Sequence, residues 1–147
     1  MYTIEVMKPE DFAAVYDLWL SVKGMGLNNL DDTEEGFAVF LRRNPSTCFK
    51  ASEDGVMCGV IMAGHDGRRG YIYHTAVREE CRGRGIGRAL VEAVKEALIR
   101  EGIKKTALVV FKTNVSGNAF WEKLGFHERD DIAYRDYVLS DMVKYNT

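Results

Sequence analysis

The stretch between residues 71 and 111 constrains the fold of this chain more than any other. A strand-like run, YIYHTAV (71–77), leads through the glycine- and arginine-rich loop CRGRGIGR (81–88) into a helical pattern that ends at Gly102. A continuously apolar run, TALVVF (106–111), follows, as expected of a strand that is covered on both faces. Strand, loop, helix and buried strand together predict a βαβ unit with a parallel pair of strands.

The rest of the chain adds strands and helices on both sides of this unit. The remaining strands are predicted at 2–7, 47–52, 56–64, near 126–130 and at 134–139. Three further helices are predicted: one opened by Pro9 and Asp11, one capped by Thr33 or Asp32 that runs to about Arg43, and one at about 116–124. We therefore expect an α/β fold of the mixed-sheet α+β type, as a single domain over 1–147. Its sheet would be mostly antiparallel, with roughly six to seven strands and with helices on both faces.

Composition and charge exclude several classes of function. With 20 basic and 22 acidic residues the formal net charge is −2, so no broad attraction to nucleic acid or to an anionic membrane is expected. The N-terminus lacks the pattern of a secretion signal and no apolar run approaches membrane-spanning length, which makes the cytoplasm the expected compartment. Three cysteines without a C-x-x-C pair fit neither a disulfide framework nor a zinc site, and no metal is expected.

The glycine- and arginine-rich loop is the local exception to this charge balance. Its glycines permit a close approach of the backbone, and the helix that follows offers unpaired N–H groups and a partial positive charge to a phosphate. The dinucleotide fingerprint G-x-G-x-x-G fails because Arg88 stands where the third glycine belongs, and the Walker pattern fails because no G-K-[ST] is present. The segment from Arg82 to Gly87 instead fits the pattern [Q/R]-x-x-G-x-[G/A].

This pattern resembles the cofactor loop of the GNAT superfamily of acyl-CoA-dependent N-acetyltransferases. A second signature, NVSGNAFWEKLGF (114–126), is similar to another segment of that family, with Asn114 at the position of an asparagine that contacts the cofactor. The likeness covers the order of elements from Tyr2 to about Leu139. The resemblance implies acetyl-CoA as the co-substrate, and transfer of its acetyl group to a primary amine by direct attack in a ternary complex.

The resemblance also implies where the cofactor binds. In the family the central parallel strands, here 71–77 and 106–111, splay apart around the pantetheine arm, and the glycine loop holds the pyrophosphate on its backbone N–H groups. Val77 N–H then polarises the thioester carbonyl, as an oxyanion hole does. The arginines near the loop, Arg78 among them, are expected to add charge-assisted contacts to phosphate. The cofactor-binding residues implied in this way are Thr75, Ala76, Val77, Arg82, Gly83, Arg84, Gly85, Ile86, Gly87, Arg88, Asn114, Phe120 and Trp121.

Two departures from the family pattern leave the proton-transfer groups open. Trp121 occupies the position of the tyrosine that protonates the thiolate in many members, and an indole N–H is not a usable acid. Tyr71 occupies the position of a frequent glutamate base. The candidates are Tyr73 and His74, which strand alternation places on opposite faces, so that only one can line the cleft. Val77 completes the predicted catalytic set through its backbone N–H. Two late residues are outside candidates: Tyr134 and Tyr137.

The segment between the first two helices bears on the identity of the acceptor. It carries a polar and acidic rim that would suit a cationic amine, either a small molecule or a peptide. Acids in the first turn of a helix are also favoured for structural reasons alone. No nucleic acid or membrane partner is expected, and a homodimer is common among relatives although no sequence feature demands one. The rim consists of Asn28, Asn29, Asp31, Asp32, Glu34 and Glu35.

Two other classes of function stay open at this point. The departures at Tyr71 and Trp121 are compatible with a non-catalytic acyl-CoA-binding or sensor module on the same fold. A nucleotide-binding α/β module of another kind is disfavoured by the failed fingerprints. Binding of coenzyme A separates the first two classes from the third, and turnover with amines separates an enzyme from a sensor.

Overall fold

The computed structural model describes all 147 residues of the chain. It contains seven β-strands and four α-helices, and none of the helices has the length and apolar character that a membrane crossing requires. In chain order the elements are β1 (Thr3–Val6), α1 (Phe12–Leu20), α2 (Glu34–Arg43), β2 (Phe49–Glu53), β3 (Val56–Ile61), β4 (Ala63–His65), β5 (Gly70–Ile72), β6 (Ala76–Val77), α3 (Ile86–Arg100), β7 (Thr106–Ala107) and α4 (Val115–Lys123).

The strands form two sheets that are joined end to end. Strand order is β1-β2-β3-β6 in one sheet and β4-β5-β7 in the other, and every pair is antiparallel except β5 with β7. The chain passes from β3 into β4 through Met62, and from β5 into β6 through residues 73–75. Tyr73 N donates to Met62 O at 2.7 Å where the two crossings meet. The predicted fold class is confirmed, with a mostly antiparallel arrangement of strands and one central parallel pair.

Helices cover both faces of the strands, as the sequence predicted. Val60 and Ile61 are adjacent on β3 and both fully buried, yet they belong to different hydrophobic clusters. The reason is that successive side chains of a strand point to opposite faces. Ile61 packs with α3 and with Trp121 of α4, whereas Val60 packs with α1 and α2. Full burial of one such side chain contributes about 1.5–3 kcal/mol, so each face fixes the helices that cover it.

Local sequence signals set where three of the helices begin. Thr33 caps α2, since its hydroxyl accepts from Gly36 N at 3.0 Å, and this decides the choice of cap that the sequence left open. Asn114 caps α4 in the same way, by accepting from the backbone N–H three residues on at 2.9 Å. Helix α3 begins after Gly85, whose φ of 81° lies in the left-handed region that glycine adopts without strain.

The two strands of the predicted βαβ unit are shorter than the sequence indicated. The predicted strand 71–77 is interrupted, because residues 73–75 leave the ladder between β5 and β6. The predicted strand 106–111 pairs only through β7, and the run from 108 to 111 follows it without a partner strand. An apolar run thus located the strand correctly but not the point at which its pairing stops.

The predictions of strands near 126–130 and at 134–139 are wrong. Nearly all of these residues are exposed, and neither segment joins a sheet. The strand beside which they would pair has already ended at Ala107, and a two-stranded hairpin is marginally stable without a third strand or a helix behind it. Arg129 instead binds Asp131 through two contacts of 2.8 Å, which form a local turn rather than a ladder.

The last residues of the chain lie along the segment that joins α1 to α2. We call residues 21–33 the α1–α2 segment. Gly24 N donates to Thr147 O, and Tyr145 N donates to Leu27 O, each at 2.8 Å. The α1–α2 segment is therefore held by backbone hydrogen bonds from the end of the chain.

Candidate active site

The parallel pair of strands opens into a gap at one end. β5 and β7 pair at Gly70 with Thr106 and at Tyr71 with Ala107, and no further. Beyond that point β6 pairs with β3, while residues 108–111 pair with no strand. We refer to the space between β6 and residues 108–111 as the interstrand gap. The predicted splaying of the two strands is present.

The backbone of Val77 faces this gap. Arg78 N donates to Cys58 O of β3 at 2.8 Å, and successive N–H groups of a strand point to opposite edges. Val77 N–H therefore points away from β3. Its carbonyl oxygen lies on the same free edge, where it accepts from Arg82 Nε at 3.1 Å. Val77 thus presents its main-chain donor where the resemblance implied an oxyanion donor.

The loop before α3 exposes backbone N–H groups that have no partner within the helix. Gly83 and Gly85 have φ values of 78° and 81°, and Gly85 occupies the cap position without a side chain to satisfy the first turn. Ala89 N donates to Gly85 O at 3.0 Å and closes the first helical hydrogen bond. The N–H groups of residues 86–88 therefore point out at the positive end of a 15-residue helix, an arrangement that suits a phosphate.

The arginines near the loop are mostly engaged by the protein itself. Arg84 pairs with Glu53, and the hydrogen bond from Arg84, with that from the N-terminal ammonium, lowers the pKa of Glu53 from 4.5 to about 2. Arg88, on the first turn of α3, is exposed and takes part in no ion pair or side-chain hydrogen bond. It is therefore the loop cation that is free for an anionic ligand. Two others are bound by protein groups: Arg78 and Arg82.

Helix α4 closes against the loop through Phe120. A Cβ atom placed on Gly87 would lie 3.0 Å from the Phe120 ring and 3.7 Å from Val77 Cγ2, so a glycine is required for this approach. Trp121, by contrast, is 9% exposed and has the rings of Phe120 and Phe126 at centroid distances of 5.0 Å each. Phe120 thus borders the gap, whereas the Trp121 ring belongs to the core.

Asn114 sits at the edge of an opening in the surface. Its side-chain oxygen is used as the cap of α4, while its amide nitrogen lies toward Gly24 of the α1–α2 segment, 3.4 Å from where a Cβ would stand. A cavity of about 580 Å³ lies between this segment and α4, with Phe111 and Asn114 in its wall. The structure therefore places Asn114 between the α1–α2 segment and the start of α4.

His74 is held by a carboxylate that sequence reasoning assigned to the acidic rim. His74 Nε2 lies 2.8 Å from Asp32 Oδ1, and the other oxygen of Asp32 accepts from Asn28 N at 2.8 Å. Asp32 is only 6% exposed, so it is not part of a rim open to substrate. The imidazole also packs edge to face on Trp19, with 4.9 Å between ring centroids. Nothing in the sequence pairs two residues so far apart; there Asp32 was only a possible cap of α2 and a member of the rim.

Tyr73 and His74 both face the helices that cover one side of the sheet. The Tyr73 ring contacts Phe40 of α2 at 5.5 Å between centroids, and the His74 ring contacts Trp19 of α1. The prediction that strand alternation sends them to opposite faces is therefore wrong, because residues 73–75 do not continue the strand. Thr75 Oγ1 donates to Tyr73 O at 2.9 Å and stabilises this interruption.

Comparisons with known proteins match the whole of this arrangement. A model of the Acetyltransferase (GNAT) family matches residues 12–126, which include the gap, the glycine loop and α4. An acetyltransferase from Pectobacterium atrosepticum is 31% identical over 138 residues, covering 94% of this chain and 96% of that protein.

Solved structures share the fold at lower identity. PaiA N-acetyltransferase from Thermoplasma acidophilum, in complex with coenzyme A, is 18% identical with a TM-score of 0.78, over 88% of this chain and 92% of that one. Ard1 from Thermoplasma volcanium is 22% identical with a TM-score of 0.75, over 84% and 81%. The sequence motifs, the splayed strands and these matches agree: the chain belongs to the acetyltransferase (GNAT) family.

Proposed function

We propose that this protein transfers the acetyl group of acetyl-CoA to a primary amine by direct attack in a ternary complex. Membership of the acetyltransferase family supports acetyl transfer. The observation that carries the proposal is a juxtaposition: the uncapped start of α3 adjoins the interstrand gap, toward which Val77 presents its N–H. An anion site and an oxyanion donor thus lie side by side.

The residues at this junction fit coenzyme A. The N–H groups of Ile86, Gly87 and Arg88, with the positive end of the α3 dipole, would hold the pyrophosphate. The side chain of Arg88 adds a positive charge that has no competing partner. The gap beside β6 would hold the pantetheine arm against the main chain of Thr75 and Val77. The main chain of Ala76, which the sequence also predicted as a partner of the cofactor, pairs with Val60 of β3 instead. When bound, acetyl-CoA supplies a thioester whose carbonyl carbon is the electrophile.

Val77 N–H would stabilise the negative charge that develops on the carbonyl oxygen during attack. A donor that is fixed in a strand needs no reorganisation when the charge appears, and removal of one such donor typically lowers kcat by about 10²–10³-fold. This donor stays out of the ladder, because it points away from β3 and the outer edge of β6 has no partner strand.

His74 is the proposed general base. The contact with Asp32 engages Nε2, so a neutral ring carries its hydrogen there and leaves Nδ1 as the acceptor. In the transfer the amine nitrogen forms a C–N bond, the C–S bond breaks, and the amine proton moves to His74 Nδ1 directly or through one water. A thiol has an ordinary pKa of about 8.5, so the departing thiolate can take its proton from water without a tyrosine acid.

A second candidate function is a non-catalytic acyl-CoA-binding or sensor module. The observation that favours it is the position of Trp121, which is buried in the core at the place where many members have a tyrosine. On this hypothesis the chain binds coenzyme A without transferring the acyl group.

Release of free thiol from acetyl-CoA in the presence of primary amines distinguishes the two functions. The enzyme hypothesis predicts saturable, amine-dependent release that is lost in His74→Ala while binding of coenzyme A persists. Tight binding of coenzyme A with no amine-dependent release across alkyl amines, diamines and peptide amino groups would establish the sensor instead.

The proposal also covers the cellular compartment of the protein, for which the state of its cysteine thiols is the evidence. Cys48, Cys58 and Cys81 are all buried and unpaired. Burial raises the pKa of the Cys48 thiol to about 12, which makes it a poor nucleophile at neutral pH. Unpaired thiols are typical of reducing compartments, and this supports a place in the cytoplasm.

A further inference from the structure

We infer that an aromatic surface beside His74 binds a cationic group of the acceptor, so that the substrate is an amine with a second positive charge. We call this surface the aromatic cluster; it consists of Phe40, Tyr71, Tyr73 and Tyr134. The inference rests on the proposed function, because it concerns the acceptor side of the same site.

Rings from two parts of the chain, α2 and the residues around β5, meet in the aromatic cluster. The centroids of Tyr71 and Tyr73 are 4.7 Å apart with an interplanar angle of 47°, and the Tyr73 ring meets Phe40 edge to face at 82°. Tyr134 is among the causes that raise the pKa of both Tyr71 and Tyr73, after burial. Tyr73 and Tyr134 remain 47% and 68% exposed, so a ligand can reach their rings.

The electrostatics of the aromatic cluster favour a cation. The faces of aromatic rings attract positive charge within about 6 Å of the ring centre. Asp31 precedes Asp32, whose carboxylate contacts His74, the residue after Tyr73. Burial, Tyr134 and the Asp31 carboxylate, in that order, raise the pKa of Tyr73, which agrees with this proximity. Asp31 accepts a hydrogen bond from Asn28 Nδ2 at 3.1 Å but takes part in no ion pair. A carboxylate without a counter-ion beside exposed ring faces is an arrangement that binds an ammonium or a guanidinium group.

The protonation states of the tyrosines support binding rather than proton transfer. Burial, with Tyr134 and Tyr73 nearby, raises the pKa of Tyr71 to about 12, and the pKa of Tyr73 is also raised. Both hydroxyls therefore stay neutral at physiological pH and are weaker acids than an ordinary tyrosine. Their rings remain available as a surface, and the role of base falls to His74.

The chemistry of the reaction explains why a second charge is needed. The attacking nitrogen must be neutral, whereas the aromatic cluster binds a charged group, so one ammonium cannot serve both purposes. Tyr73 precedes Val77 by four residues, so their Cα atoms are at most about 14 Å apart. The acceptor class is therefore an alkyl diamine, or an amine that carries a guanidinium or quaternary ammonium group within that reach.

A matched pair of probes tests this inference by kcat/KM for acetyl transfer from acetyl-CoA. 1,5-Diaminopentane and n-hexylamine have the same chain length and differ in the group at one end. We expect kcat/KM to be at least about tenfold higher for the diamine, because the monoamine must give up its only charge to react and then leaves the cluster without a cation. Tyr73→Phe keeps the ring and should keep this preference, whereas Tyr73→Leu and Asp31→Asn should each reduce it severalfold. Asp141→Asn, an exposed acid on the C-terminal segment, is the charge control.

The outcomes separate this inference from the proposed function. Equal kcat/KM values for the two probes would overturn the inference alone, whereas no transfer to either probe would overturn the proposed function and the inference together. A preference that survives both Tyr73→Leu and Asp31→Asn, in variants whose thermal unfolding matches the wild type, would also overturn it. Failure of the wild-type protein to bind coenzyme A would overturn the proposed function and the inference together.

Discussion

Asp32 Oδ1 lies 2.8 Å from Nε2 of His74, a residue 42 positions further along the chain. The contact ties the α1–α2 segment to the place where β5 gives way to β6. The contact holds the imidazole through Nε2. It leaves Nδ1 as the ring nitrogen that accepts a proton in the proposed mechanism. The pair has a structural consequence and, in the proposed mechanism, a catalytic one, and substitutions can separate the two.

Removal of the His74 imidazole should abolish proton transfer without loss of cofactor binding. We expect His74→Ala to lower kcat by roughly 10²-fold or more, the usual contribution of a positioned base, while the Kd for coenzyme A stays within about twofold. His127→Ala is the matched control, because that ring is 70% exposed and pairs with Glu122 at the surface. Parallel losses of kcat and of coenzyme A affinity would assign His74 to the fold instead.

The Asp32 carboxylate should act through His74 and not independently. Asp32→Asn is expected to lower kcat by a smaller factor than His74→Ala, and the double variant should lose no more activity than His74→Ala alone. Residues that act as one unit show such non-additivity. Additive losses in kcat would contradict the assignment of Asp32 as the positioning residue.

Proline substitution tests the Val77 N–H as the oxyanion donor. Val77→Pro removes a donor that points away from β3, so we expect a folded protein with kcat reduced by about 10²-fold or more. Ala76→Pro is the contrasting variant, since its N–H faces β3 and its loss should lower the unfolding temperature. Steady-state kinetics and thermal unfolding of both variants are the measurements. Full activity in Val77→Pro would remove this donor from the mechanism.

Glutamate at Gly85 should block the anion site by adding negative charge at the start of α3. We expect Gly85→Glu to abolish coenzyme A binding, measured by calorimetry, in a protein that still folds. Gly55→Glu is the matched control, because Gly55 also has a positive φ, 77°, with nothing within 4 Å of an added Cβ, but lies in the turn between β2 and β3. Both variants carry the same backbone strain and the same charge. A difference between their affinities for coenzyme A therefore arises from the position of the glutamate.

The Glu53 carboxylate predicts a dependence of stability on pH. Its pKa is lowered to about 2 by Arg84 and the N-terminal ammonium, so its contribution is complete above its ordinary pKa of 4.5 and is lost as the pH falls through 2. Between these limits Glu53→Gln should show a smaller fall in unfolding temperature than the wild type does. Glu96→Gln, at an exposed position on α3, should follow the wild-type curve. Identical slopes for all three proteins would argue against the ion pair in solution.

Local signals predicted the helices of this chain more closely than its strands. Thr33 with Glu34 marked the start of α2, and the glycine loop marked the start of α3, because caps and periodicity act within one or two turns. Strand pairing ends at Ala107 because of which strands come together in the fold. The residues next to Ala107 in the sequence carry no signal for this end. The same limitation explains why strands were expected over 126–139, where the structure has none.

In the candidate site, too, local features were predicted and contacts between distant segments were not. The glycine- and arginine-rich loop and Val77 lie in one continuous stretch of sequence, and the motif in that stretch predicted the role of both. Asp32 reaches the site from a distant segment, and its contact with His74 was not visible in the sequence. The interruption at 73–75 also reversed the expected relation between two adjacent side chains, since alternation holds only while a strand continues.

Binding of coenzyme A tests the central claim most directly, through thermal unfolding of the protein with saturating acetyl-CoA, coenzyme A, NADH or ATP. A ligand at 100-fold its dissociation constant adds about 2.7 kcal/mol to the free energy of unfolding. A rise in unfolding temperature with the two coenzyme A compounds, absent in Gly85→Glu and retained in Gly55→Glu, is the result that we predict. No rise with either compound, or an equal rise with ATP, would contradict the account, because the start of α3 would then be a generic anion site.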